Sequence, residues 1–142
     1  MKPKVLFVDD EEKFVEYLRK RLENRDLAVT GAHSGEQALE IMAEHPQDVV
    51  VLDVLMPGMD GVATLREIKS RQPLTEVVML TGHASVESAI DGMKLGAYDY
   101  LMKPCETDDL VDKIRSAHAR KAEQEERIQQ ARIKELATRR GF

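Results

Sequence analysis

Four short runs end on residues that can do chemistry. Asp9 and Asp10 follow KVLFV, Asp53 follows DVVVL, Thr81 closes EVVML, and Lys103, with Pro104 behind it, closes YDYLM. Each run reads as a buried strand. If the strands are parallel, Asp9, Asp10 and Asp53 converge at one edge of the sheet with the Thr81 hydroxyl and the Lys103 ammonium. Crowded carboxylates cannot all stay ionised without compensation. A divalent cation resolves the conflict. Mg²⁺ suits oxygen donors at ~2.1 Å and keeps several waters. An acidic metal site with an opposing lysine and a hydroxyl is what a phosphoryl group in transfer needs, because its catalysis is positioning plus charge neutralisation.

The turn after Asp53 is unusual. Pro57 fixes φ, while Gly58 and Gly61 permit backbone that other residues resist. Such a turn leads the chain away from the pocket and can aim a backbone carbonyl at a metal. Singly, an Asp pair is often a solvated loop, Thr-Gly a turn and Lys-Pro a loop. Together, four strand ends carry one coherent chemistry.

The intervening segments are helical. Phe14, Leu18 and Leu22, with Val15 beside them, make one face of EEKFVEYLRKRLEN. LAVTGA is a second strand. Ser34 and Gln37 form a capping box for a helix carrying Ala38, Leu39, Ile41 and Met42, ended by Pro46. DVVVLD has no polar alternation, so both of its faces should be covered. Asp60 caps a third helix with Val62, Leu65 and Ile68, ended by Pro73. SVESAIDGMKLGA is a fourth, with Val86, Ile90 and Met93 expected inward and Gly92 weakening it by about 1 kcal/mol. Thr107 is expected to cap the last helix, with Asp108 and Asp109 in its first turn. Five β-α repeats imply an α/β fold, a doubly wound, flavodoxin-like parallel sheet of order 2-1-3-4-5.

Composition bounds the function. The chain has 142 residues, 42% hydrophobic and 33% charged, and a net charge of −5. That is the balance of one globular domain. No apolar run approaches a membrane span, and the N-terminus lacks a secretory pattern, so a cytoplasmic protein is expected. A single cysteine, Cys105, excludes an internal disulfide. The four histidines show no ligand spacing. From residue 119 onward there are seven Lys/Arg and four Asp/Glu, against fourteen and twenty-two before it. An acidic body with a basic tail argues against nucleic-acid binding by the body.

The motifs FVDDEE, VVLDVLMPGMDG, MLTGHAS and DYLMKP, in order across about residues 3–120, resemble those of bacterial response-regulator receiver domains. The resemblance implies that Asp53 accepts a phosphoryl group from a sensor histidine kinase or phosphotransfer protein. It implies direct Mg²⁺ ligation by Asp10, Asp53 and the Leu55 carbonyl, with Asp9 acting through water. Lys103 would contact the phosphoryl group, Thr81 and Tyr100 would form the switch, and Lys103–Pro104 would be a cis peptide. Leu55 and His83 match variable pocket-edge positions that could set phosphoryl lifetime. LTGHAS is most similar to receivers of activators that drive an ATPase.

The resemblance divides the chain into a receiver, residues 1–120, and an extension, residues 121–142. Nothing in the extension breaks a helix before Gly141, and Glu123 and Arg127 are well placed to pair. A strict heptad seam fails at Lys121 and Gln124. A solvated helical extension is expected, with a signalling linker or homodimer contact as the alternative. It lacks the second helix of a helix-turn-helix, so direct nucleic-acid binding is not expected. Two enzyme classes fit poorly. An aspartyl-phosphate phosphatase would want an acid at Leu55, and a dinucleotide fold would not follow its first strand with DDEE.

Overall fold

The computed structural model describes residues 2–54, 56, 58–82 and 86–139, with the side chains of Val86 and Ser88 excepted. The expectations for Leu55, Pro57, His83 and the Val86 side chain therefore lie outside the described residues.

The chain alternates without exception: β1 (Lys4–Val8), α1 (Glu12–Glu23), β2 (Ala28–Ala32), α2 (Gly35–Glu44), β3 (Val49–Leu52), α3 (Gly61–Arg71), β4 (Glu76–Thr81), α4 (Val86–Lys94), β5 (Asp99–Met102) and α5 (Thr107–Arg139). The sheet is five-stranded, in the order β2-β1-β3-β4-β5, and every neighbouring pair is parallel. No helix among the described residues is long and apolar enough to cross a membrane.

The uniform apolarity of the inner strands has a simple cause. Successive side chains point to opposite faces, and both faces are covered. Val5, Phe7, Val49, Val51, Val78 and Leu80 pack with α1 and α5 through Val15, Leu18, Leu22, Leu110 and Ile114. Leu6, Val8, Val50, Leu52, Val77 and Met79 pack with α2 and α3 through Leu39, Met42, Leu65 and Ile68. A one-residue slip of β3 would exchange the two sets.

The expected caps form at α2 and α3. Ser34 Oγ accepts from the Gln37 N–H at 3.0 Å, and Gln37 Oε1 accepts in return from the His33 N–H at 2.7 Å. Asp60 Oδ1 accepts from the Ala63 N–H at 2.8 Å. Thr107 differs from expectation. It is the first helical residue, and the Glu106 carbonyl accepts the first intrahelical bond, from the Leu110 N–H. The Thr107 hydroxyl instead receives Arg21 Nε at 3.3 Å.

Helix α4 corrects a second expectation. Ile90 and Met93 face solvent, at 48% and 47% exposure. Among the described residues of α4 the buried one is Gly92, where a Cβ would lie 2.6 Å from the Met79 sulfur. The absent side chain lets the α4 backbone approach the sheet, so the glycine that weakens the helix also seats it. The apolar stripe is left outside.

Candidate functional site

All four site-bearing strand ends lie at one edge. The Asp9 N–H donates to the Ala32 carbonyl at 3.1 Å and the Asp53 N–H to the Val8 carbonyl at 3.0 Å, so each aspartate extends its strand's ladder by one residue. The Lys103 N–H donates to the Thr81 carbonyl at 2.9 Å, which aligns the ends of β4 and β5. The pocket is therefore fixed by backbone register.

One carboxylate oxygen each from Asp9, Asp10 and Asp53 lies within 4.8 Å of the other two. Asp9 and Asp53 are buried, at 1% and 4% exposure, and Asp10 is exposed at the mouth. Asp9 spends both oxygens. Oδ1 accepts from the Glu11 N–H at 2.9 Å, at the otherwise uncapped start of α1, and Oδ2 accepts from Lys103 Nζ at 2.6 Å. The ammonium also stands 3.9 Å from Asp53 Oδ2, 3.7 Å from Glu11 Oε1 and 4.3 Å from the centre of the Phe14 ring. It faces three carboxylates at once. The pocket remains strongly anionic, and its hard, clustered oxygens fit a small divalent cation.

Thr81 is fully buried at the end of β4. Tyr100 sits on β5 opposite Met79 and packs, partly buried, against the α2–α3 side of the core. Its buried hydroxyl has no hydrogen-bond partner among the described residues. The Lys103–Pro104 peptide is cis.

Behind Asp53 the chain is clamped. The Gly61 N–H donates to the Val54 carbonyl at 2.8 Å, and the Met59 N–H donates to Glu36 Oε1 at 2.9 Å. Gly58 has φ +75°, the left-handed region that glycine tolerates. The Glu36 carboxyl lies below the usual range because it accepts its own N–H and that of Met59.

Asp9, Asp10, Asp53 and Lys103 thus converge, and Thr81 ends the adjacent strand β4. Glu11 and Phe14 were missed as neighbours of Lys103. Glu11 continues the same acidic loop and could have been found there. Phe14 reads from sequence only as a core residue.

A family model described as response regulator receiver domain matches residues 5–115. The chain belongs to the response-regulator receiver domain family. It is 42% identical over 115 residues to the transcriptional regulatory protein ZraR of Escherichia coli K12, covering 81% of this chain and 26% of that protein. It is 37% identical over 113 residues to the uncharacterized transcriptional regulatory protein YkoG of Bacillus subtilis, covering 80% of this chain and 50% of that protein. A receiver-domain crystal structure from Clostridium thermocellum superposes with a TM-score of 0.80 at 38% identity, covering 84% of this chain and 97% of that one. The chain thus spans half or less of the curated relatives it matches.

Proposed function

We propose that this chain is the phospho-accepting receiver of a two-component system, working in the cytoplasm as a regulatory module and turning over only its own phosphoryl group. The observation that carries the reading is the convergence of Asp9, Asp10 and Asp53 with Lys103. The donor would be a sensor histidine kinase or a phosphotransfer protein.

Asp53 is the nucleophile. Its carboxylate oxygen attacks phosphorus, the bond from phosphorus to the donor's imidazole nitrogen breaks, and the electron pair leaves with the imidazole, which then takes up a proton. Lys103 is within reach of Asp53 and neutralises charge that grows on the equatorial oxygens. Asp10, Asp53 and the Leu55 carbonyl would hold Mg²⁺, with Asp9 acting through water. When bound, the ion supplies charge neutralisation and a fixed template for the phosphoryl oxygens. The receiver would comprise residues 1–120 and the extension residues 121–142, with homodimer contact open to the extension and no nucleic-acid contact. Incubation with acetyl phosphate and Mg²⁺ should add the mass of one phosphoryl group to wild type and none to Asp53→Asn. Equal labelling of both proteins refutes the assignment.

The switch follows from Thr81 and Tyr100. New phosphoryl oxygens accept from the Thr81 hydroxyl and draw the end of β4 inward. Tyr100 can then change rotamer, and its hydroxyl, without a partner among the described residues, favours an arrangement that gives it one. The α4 helix, whose backbone comes down on Met79 at Gly92, is the element expected to shift. Such a balance is a few kcal/mol, biased by contacts present in one state only. In backbone NMR with beryllofluoride and Mg²⁺, large shifts are expected across residues 81–115, with α1 and α2 nearly silent. A Thr81→Ala protein that keeps the full remote pattern would sink this mechanism.

A further inference from the structure

The opposite edge of the sheet carries a second set of charges with no part in phosphoryl chemistry. Asp48 precedes β3 and Glu76 begins β4, and the Glu76 N–H donates to the Asp48 carbonyl at 3.1 Å. Both carboxylates reach one turn of α5. Lys121 Nζ lies 3.0 Å from Asp48 Oδ1, His118 Nε2 lies 3.9 Å from Asp48 Oδ2, and Arg120 Nε lies 3.5 Å from Glu76 Oε2. The carboxylates and Lys121 are well covered, while the His118 and Arg120 side chains are 35% and 54% exposed. Glu76 is 4% exposed, and the side chains of Lys121 and Asp48 are 15% and 23% exposed.

The carboxylates are themselves held. The Lys4 N–H donates to Asp48 Oδ2 at 2.8 Å, and Lys69 Nζ lies 3.4 Å from Glu76 Oε1. Burial works to raise the Asp48 carboxyl, but the Lys4 N–H and Lys121 outweigh it, and its pKa falls below the ordinary value. Burial likewise opposes the Lys121 ammonium, but Asp48 and Glu125 outweigh it and raise its pKa. The Arg120 guanidinium also lies 5.7 Å from the Tyr98 ring centre.

This cluster sits where the apolar seam of α5 ends. Leu110, Ile114 and Ala117 are buried on one stripe, and Lys121 is the next residue along it. Beyond Lys121 the helix runs to Arg139, about 27 Å at 1.5 Å per residue. Its ion pairs there, Glu123 with Arg127 and Glu135 with Arg139, are internal to the helix. Ile128, Ile133 and Leu136 are exposed.

We propose that Asp48 and Glu76 form an electrostatic latch that grips Lys121 and Arg120 and thereby fixes the root and direction of the projecting α5 arm. The latch works whatever the state of the acidic pocket, because its groups lie at the far ends of the same strands. It makes the arm a directed element whose contacts are delivered at a set position relative to the sheet.

The test is hydrogen–deuterium exchange on the full chain. In Asp48→Asn/Glu76→Gln, which keeps side-chain volume, amides from about Ser116 to Glu126 should exchange roughly tenfold faster than in wild type. Those of β1 after Lys4, and those of β3, should be unchanged. Raising salt to about 1 M, where the screening length is ~3 Å, should move wild type toward the variant. Exchanging the charges, Asp48→Lys with Lys121→Asp, should restore part of the protection that Lys121→Asp alone removes. Unchanged exchange at the root in the double variant overturns the proposal. So does equal acceleration throughout the sheet, which would mean general destabilisation. A charge exchange that restores nothing also counts against it.

Discussion

Lys103→Met is expected to destabilise the metal-free protein by about 2–3 kcal/mol, and Mg²⁺ is expected to recover most of that loss. The ammonium is 2.6 Å from a carboxylate that is itself 1% exposed. Methionine keeps the bulk of the stem above Phe14 but leaves Asp9 buried without its cation. Asp53 and Glu11 lose their share of the same charge. A divalent cation supplies what the lysine no longer does, and a ligand bound only by the native state stabilises it by mass action. The stabilisation gained from Mg²⁺ should therefore be larger in the variant than in wild type. Urea unfolding of both proteins, in chelator and in saturating Mg²⁺, gives the four values needed. An equal loss with and without the ion would show that Lys103 does not balance the carboxylates.

The second large effect is expected at Gly61. A Cβ there would lie 2.1 Å from the Asp53 carbonyl oxygen and 2.5 Å from the Val54 Cα. Both are backbone atoms, and the Gly61 N–H is bonded to the Val54 carbonyl. Neither side can yield without moving the start of α3 or the end of β3. Gly61→Ala should cost about 3 kcal/mol, at the upper end of overpacking. It should also disturb the position of Asp53. Gly82→Ala is the control. Among the described residues its Cβ would come no closer than 3.8 Å, to Lys103 Cβ, so a change within about ±0.5 kcal/mol is expected. Thermal unfolding separates the two, and a Gly61→Ala protein as stable as wild type would contradict the packing described here.

The sheet was legible because its signal is local. Unbroken apolar runs mark strands covered on both faces, and Ser34 and Asp60 mark helix starts by chemistry within three residues of themselves. The acidic pocket was legible because each of its residues ends such a run. The orientation of α4 was not. Ile90 and Met93 satisfy helical spacing, but a glycine's ability to bring backbone onto Met79 leaves no hydrophobic signal. Thr107 is a sound capping residue by type, yet Glu106 takes the place because the chain turns one residue earlier. The latch was hidden for another reason. Lys121 reads as a break in a heptad, and its partner Asp48 lies 73 residues away.

The ion pair between Asp9 and Lys103 spans 94 residues. On the ribosome the aspartates of the pocket therefore emerge long before their counter-charge. A nascent chain that has made β1 through β4 already holds Asp9, Asp10, Asp53 and Thr81 but no ammonium to set against them. Closing so long a loop is among the slower steps available to a domain of this size. The lysine arrives on an edge strand, after the inner sheet has its residues. Birth order thus makes the emerging acidic edge most dependent on dissolved cations until β5 docks and brings the lysine to it.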